Sequence, residues 1–347
     1  MQKNFIIMDF LKSEIMFKID STVLNDKETY VIAEGGLNHN GDVEIGKKLI
    51  DAAKKSGANA IKFQTYKTEN FVRETNQYFD VFKNAELTFD QFKELKKYAK
   101  DSEITFFSTP FDIESAEFLY ELDVPCFKIA SSDLTNLPLI RRIAKMQKPM
   151  IISSGLATIN EIEEAVNSCL FEGNNQIALL HCVANYPTQP NEVNMNVLNT
   201  LKKTFDFPTG YSDNGESTLV DIVAVSMGAN IIEKHFTLDK NVTGPDHSFS
   251  IDPNGLKTLI SQIHEIDQMK GNGIKIPQSS EIENRLAIRK SITAKRDLKQ
   301  GEKIKEDDIM VKRPADGIEP KYFSFILGKT IKDDIKKDSP ISWSNIS

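Results

Sequence analysis

From Tyr30 to about Gly271, short apolar runs alternate with longer amphipathic stretches. The runs are YVIAEGG (30–36), AIKFQTY (60–66), ITFFSTP (104–110), CFKIASS (126–132), PMIISSG (149–155), IALLHCV (177–183), PTGYSD (208–213) and NIIEKHF (230–236). They are rich in β-branched and aromatic residues, which predicts strands. Between them lie segments such as VEIGKKLIDAAKKSGA and INEIEEAVNSCLFEG, with apolar residues at helical spacing. Strands alternating with helices predict parallel pairing through right-handed crossovers. Eight such units over roughly 240 residues fit a closed (β/α)8 barrel, a TIM barrel, better than an open sheet.

The pattern changes beyond this region. Residues 272–288 are polar, carry Gly and Pro, and are read as a linker. Residues 289–347 show short runs broken by Lys, Asp and Gly, which predicts a small β-rich module. Residues 1–29 are assigned to an N-terminal arm, with residues 1–20 read as an extra strand or an arm. The apolar run at the N-terminus is broken by Asp9, Lys12 and Glu14, so neither a signal peptide nor a membrane span is expected.

The 347 residues suffice for one large and one small domain, and 40% hydrophobic with 27% charged residues is ordinary for a globular chain. A net charge of −7 argues against non-specific nucleic-acid binding. The three cysteines, Cys126, Cys169 and Cys182, have no paired or metal-ligand spacing, so a reduced cytoplasmic setting is expected.

Each strand run ends in polar residues: Glu34 and Asn38, Lys62 and Gln64, Ser108 and Thr109, Lys128 and Ser131, Ser153 and Ser154, His181 and Asn185, Ser212 and Asp213, then Glu233, Lys234 and His235. In a closed barrel these ends share one mouth, the face where barrel enzymes work. Lys62 and Lys128 among Ser and Thr hydroxyls suit a phosphate or carboxylate. Two alternatives stand beside that reading: an internal ion pair with Glu34 or Glu233, and a Schiff-base lysine. Glu34, Glu233 and Asp246 are candidate proton-transfer groups, and the sequence does not sort the ionised from the protonated. His235 is a candidate cation ligand. His39 is read as a loop donor, His247 as a neighbour of the same mouth, and His264 as a surface residue.

Taken in order, the segments IAEGGLNHNGD, IKFQTYKTENFV, FFSTPFD, FKIASSDLTNLPLI, ISSGLATINEIEEA, YPTQP, GYSDN, EKHFTLD and GPDHSFS resemble the sialic acid synthases, including the legionaminate and pseudaminate synthases. RKSITAKRDLKQGEKIKEDDIMVKRP resembles the antifreeze-like (SAF) module that ends those proteins. The resemblance implies condensation of phosphoenolpyruvate with an N-acetylated amino sugar, N-acetylmannosamine or a 2,4-diacetamido-trideoxyhexose. The products would be a nine-carbon 2-keto sugar acid and phosphate. It implies that Lys62, Thr109, Lys128, Ser131, Ser153 and Ser212 hold phosphoenolpyruvate, and that Glu34 helps activate water or stabilise the cationic intermediate. Tyr186, Glu233 and Asp246 would contact the acceptor or move protons. His235 would bind a divalent metal, manganese or magnesium. Arg313 would reach the acceptor from the partner subunit, which requires a domain-swapped homodimer.

Two positions depart from the family pattern. Asn214 stands where the family carries a metal-binding histidine after Ser-Asp, and a carboxamide oxygen replaces an imidazole there. Ala184 stands where relatives carry a polar residue near the phosphate, with Asn185 as the candidate substitute.

Overall fold

The computed structural model describes residues 17–25 and 27–347. They form two compact units that divide between Gly271 and Asn272. The first begins with a hairpin, β1 (Lys18–Ile19) and β2 (Thr22–Val23), followed by eight longer strands. These are β3 (Tyr30–Gly36), β4 (Ala60–Thr65), β5 (Thr105–Pro110), β6 (Phe127–Ile129), β7 (Met150–Ser153), β8 (Ile177–Cys182), β9 (Thr209–Asp213) and β10 (Ile231–His235). They pair in chain order as a closed barrel. Closure is parallel, with Ile231 opposite Tyr30 and His235 opposite Glu34. The expected (β/α)8 fold is therefore present. The run read for β6 is longer than the strand, because the chain leaves the sheet into a 3-10 turn at Ser131–Asp133.

Capping sets the helix ends between strands. The helix Val43–Ser56 begins where the Asp42 carboxylate accepts the Glu44 N–H, and it ends at Gly57 with φ 93°. It buries Leu49, Ile50 and Ala53. The helix Ile159–Phe171 opens on a Thr158/Glu161 capping box and buries Ile162, Ala165, Val166 and Cys169. The strands lie beneath these faces and are buried almost throughout, as a parallel sheet between side-chain layers requires.

The arm needs correction from residue 17 onward. Phe17 and Ile19 are buried in the barrel's hydrophobic core, so this segment belongs to the barrel unit. Lys18 and Asp20 line a cleft with Thr105, Pro125, Pro149 and Gln176, which places the hairpin at the N-terminal ends of the strands. Residues 1–16 lie outside the described residues.

Part of the stretch read as a linker is helical: residues Ser279–Ile288 form a helix in the second unit. Its start is fixed by the Glu281 carboxylate, which accepts the Gln278 N–H at 2.7 Å. Near its other end, Leu286 O accepts the Ala315 N–H at 2.8 Å. The rest of this unit pairs β11 (Ser291–Ala294) with β12 (Ile309–Lys312), antiparallel, with Ile292 opposite Val311. Ile292, Leu298, Ile304, Ile326, Ile331 and Ile341 form its own small core. Among the described residues, no helix is long and apolar enough to cross a membrane.

Candidate active site

A cavity of about 540 Å³ opens at the C-terminal ends of the barrel strands. Every strand contributes to it: Glu34 from β3, Lys62 and Gln64 from β4, Thr109 from β5, Lys128 from β6, Ser153 from β7, Cys182 from β8, Ser212 from β9, and Glu233 and His235 from β10. Ser131, Tyr186, Asn214 and Asp246 join from the following loops. Twelve of these fourteen, all but Gln64 and Cys182, are the barrel residues assigned from the sequence, and they share one site.

The expectation that all polar strand ends face this mouth needs correction. Successive strand residues point to opposite faces, so alternate polar residues turn away. Ser108 Oγ lies 2.7 Å from Thr65 Oγ1. Ser154 Oγ donates to Leu180 O at 2.9 Å. His181 Nε2 lies 2.7 Å from Val193 O. Asp213 and Lys234 pair with each other behind the wall.

Within the cavity, Lys62 Nζ sits 2.8 Å from Glu34 Oε2 and 3.8 Å from Glu233 Oε1. It donates to Thr109 Oγ1 at 2.9 Å. The internal ion pair weighed for Lys62 is thus present. Lys128 has no close carboxylate: its ammonium donates to Ile129 O at 3.0 Å and lies 3.6 Å from Glu233 Oε1. Ser212 Oγ donates to the same Glu233 oxygen at 3.0 Å, and Gln64 Nε2 donates to Glu34 Oε1 at 3.0 Å. Ser153 Oγ and Glu233 Oε2 are buried without a hydrogen-bond partner, so the site presents both unmet donor and unmet acceptor capacity.

The surroundings sort the titrating groups. Burial drives the Lys128 ammonium pKa down, against the pull of Glu233. Lys62 is equally buried, but Glu233 and Glu34 outweigh that cost and raise it. Burial and the like charge of Glu233 push the Glu34 carboxyl up, with Lys62 opposing. Burial also raises Glu233, but Lys128 and Lys62 prevail and hold it below its ordinary value. Burial raises Asp246, with His235 opposing.

Gly36 makes the approach of Asp246 possible. Its φ is +50°, and a Cβ there would stand 2.9 Å from Asp246 Oδ2. Gly155 similarly clears space beside Ser131: an added Cβ would lie 2.7 Å from Ser131 Oγ, which accepts the Gly155 N–H.

Two donors suited to a divalent cation face the cavity. His235 Nδ1 is buried without a hydrogen-bond partner and lies 4.0 Å from Asp246 Oδ2. Burial lowers its pKa, which favours the neutral, ligating ring. Asn214 Nδ2 donates to Val183 O at 2.8 Å and to Cys182 Sγ at 3.4 Å, leaving its carboxamide oxygen for a cation. Among the described residues, no group of three or more His, Cys, Asp or Glu forms a metal cluster. Two such donors fit a cation that completes its shell with water or substrate oxygens, as magnesium and manganese do.

Other histidines have local roles. His39 Nδ1 accepts the Gly41 N–H at 3.1 Å, so it is an acceptor rather than a donor. His247 Nδ1 lies 2.6 Å from Thr237 Oγ1, and His264 is exposed. Asn185 does not replace the polar group lost at Ala184. Its amide turns to Glu192 Oε2 at 2.9 Å, while Ala184 lines the cavity.

The sequence reading missed the apolar rim. Leu37, Phe71, Tyr78, Phe82, Phe111 and Phe249 line the upper cavity. Leu37, Phe71, Phe82 and Phe111 pack with Tyr66 and Ala85 as a separate small core. Its sequence signal is the aromatic-rich loop after β4, TENFVRETNQYFDVF. Tyr186 and Phe249 meet His235 edge-on, with centroids 6.1 Å and 5.0 Å from it. Arg313, by contrast, lies in the second unit, exposed just after β12.

The NeuB family model matches residues 49–275. The chain belongs to the NeuB family. The SAF domain model matches residues 289–347 of the same protein. An uncharacterised protein of Methanocaldococcus jannaschii is 48% identical over 94% of this chain and 97% of its own. The N,N'-diacetyllegionaminic acid synthase of Campylobacter jejuni is 42% identical over 91% of this chain and 99% of its own. Among solved structures, the N-acetylneuraminic acid synthetase of Leptospira borgpetersenii superposes with a TM-score of 0.74 at 36% identity. That match covers 77% of this chain and 94% of the other. This NeuB-family protein is therefore an enzyme of the sialic-acid-type synthases.

Proposed function

We propose that the enzyme condenses phosphoenolpyruvate with an N-acetylated amino sugar and water, giving a nine-carbon 2-keto sugar acid and phosphate. The observation that carries this reading is the buried floor: Lys62 and Lys128 beside Thr109, Ser131, Ser153 and Ser212. Two cations and four hydroxyls match a ligand bearing both phosphate and carboxylate.

Lys62 and Lys128 bind and orient the anion, and the fixed geometry supplies proximity for attack by its C3 on the acceptor aldehyde. Water then adds at C2 and phosphate leaves with C–O cleavage. Glu34, steered by Gln64 and Lys62, is placed to exchange a proton with that water. Glu233 neutralises the lysines and contacts the acceptor, and Asp246 moves protons beside His235. His235 and Asn214 would hold a manganese or magnesium ion, which would supply Lewis-acid polarisation of the aldehyde.

The aromatic rim favours a 2,4-diacetamido-trideoxyhexose over N-acetylmannosamine as acceptor, because the former presents a methyl where the latter carries a hydroxyl. The 42% identity to a diacetyllegionaminic acid synthase supports the same choice. Arg313 serves the acceptor in the neighbouring subunit of a domain-swapped homodimer. The three buried free thiols suit a reducing, cytoplasmic setting.

Phosphate release from phosphoenolpyruvate is to be measured with each acceptor, with manganese added and omitted. Release that requires both the diacetamido sugar and manganese is expected; release independent of any sugar would overturn the reading. Asn214→His is expected to tighten manganese binding, and an unchanged calorimetric titration would remove Asn214 from the ligand set.

One observation favours a second reading, a Schiff-base aldolase: burial lowers the Lys128 pKa, as a nucleophilic lysine needs. Borohydride in the presence of pyruvate would trap Lys128 in that case and leave the synthase untouched.

A further inference from the structure

Directly behind the two cation donors lies a charged cluster that the reaction does not use. Lys234 and Asp221 are wholly buried, and the Asp213 side chain is 1% exposed. Lys234 occupies β10 between Glu233 and His235, and Asp213 ends β9 beside Asn214. The register puts Lys234 opposite Asp213, so both point away from the cavity while their neighbours point into it.

The Lys234 ammonium donates to the Asp213 carboxylate. It also donates to Gly215 O at 2.8 Å and Ser217 O at 3.3 Å, and lies 3.4 Å from Asp221 Oδ2. Asp213 Oδ1 accepts the Gly215 N–H at 2.8 Å. One ammonium thus grips both the strand end and the turn after it, the turn that begins with Asn214. From the other side, Asn214 O accepts the Thr188 N–H at 3.2 Å.

A buried ionic triad is an inefficient way to stabilise a fold, since apolar residues of similar volume often do as well or better. Its geometry has a more specific consequence. The strand that carries His235 and the turn that carries Asn214 are fastened to each other through Lys234. We infer that Lys234, with Asp213 and Asp221, is a positioning cluster that fixes the separation of the Asn214 and His235 donors for a bound cation. The inference rests on the cation reading given under Proposed function.

Lys234→Met alone leaves Asp213 buried without its partner and is expected to destabilise the fold. The test therefore uses the charge-free triple variant Lys234→Met, Asp213→Asn, Asp221→Asn. Lys234→Arg is the second variant, retaining the charge on a rigid fork in place of the compact ammonium. Manganese binding is titrated by the electron paramagnetic resonance of the free ion, alongside circular dichroism and steady-state kinetics. With the circular dichroism unchanged, manganese affinity is expected to fall roughly tenfold to a hundredfold in the triple variant, and less in Lys234→Arg. The kcat should fall with it, while KM for phosphoenolpyruvate stays within about twofold, because the lysine floor is untouched. Folded variants that bind manganese as the unaltered protein does would overturn the inference. Failure of the unaltered protein itself to bind manganese would remove the cation reading and this inference together, an outcome distinguished by the control titration.

Discussion

Lys62 and Lys128 are the same residue type at the same depth, yet their neighbours give them opposite energetics. Lys62 is clasped by Glu34 and Thr109, while Lys128 stands 3.6 Å from its nearest carboxylate oxygen and carries a burial cost that lowers its pKa. Lys128→Met is expected to leave thermal stability unchanged or raise it, while phosphate release falls at least roughly a hundredfold. Lys62→Met leaves Glu34 buried with Gln64 alone, and should cost about 3 kcal/mol by chemical denaturation. His39 gives a second residue-scale expectation. Burial lowers its pKa from 6.5 to about 4. Between those values the unfolded chain takes up a proton that the folded chain refuses, so stability falls as pH drops through that window and levels off below it. His39→Gln should lose less stability between pH 7 and pH 4.5, by roughly 2 kcal/mol, in paired urea titrations. Equal losses would show that His39 does not carry the effect. At this scale the sequence showed which strand ends are polar, and twelve barrel residues assigned from it line one cavity, because strands that end polar are visible in one dimension. The polar pattern alone could not tell Ser153 from Ser154, which the family resemblance separated, or show that Lys234 turns away beside Glu233. A one-residue step decides which face a side chain joins, and only the register settles it.

At the scale of elements, the eight barrel strands were legible because each combines an apolar run with a polar end and is separated by a helical period. The hairpin β1–β2 was not, since two-residue strands are too short to show alternation. Its worth lies in what it buries. Phe17 is 1% exposed and Ile19 fully buried at the N-terminal end of the barrel, where structure supports stability rather than chemistry. Phe17→Ala should cost about 3–5 kcal/mol, read as a lowered thermal midpoint, with turnover at 25 °C unchanged. Lost turnover in a still-folded variant would show that the hairpin reaches the site. The helix Ser279–Ile288 escaped notice for a different reason: its few apolar residues, Ile282 and Leu286 among them, follow a polar Gly/Pro stretch, and none of its residues is buried.

For the whole molecule, the proposed swap of Arg313 between subunits makes a prediction that no single chain can satisfy. Arg313→Ala and His235→Ala are each expected to be inactive. Co-expressed, they should recover about a quarter of the unaltered activity, because half the dimers then contain one intact site. If Arg313 served its own barrel, every site would carry one lesion and mixing would restore nothing. The cavity's layering has a kinetic meaning of its own. Its charged floor lies beneath an aromatic rim whose outermost members, Tyr78 and Tyr186, are 54% and 53% exposed. The proposed acceptor, resting against that rim, would stand over the floor like a stopper, so the ligand below would have to enter first and the one above leave first. The depth of the barrel would then set an order of arrivals and departures, and an excess of the upper ligand is expected to inhibit the lower in steady-state kinetics.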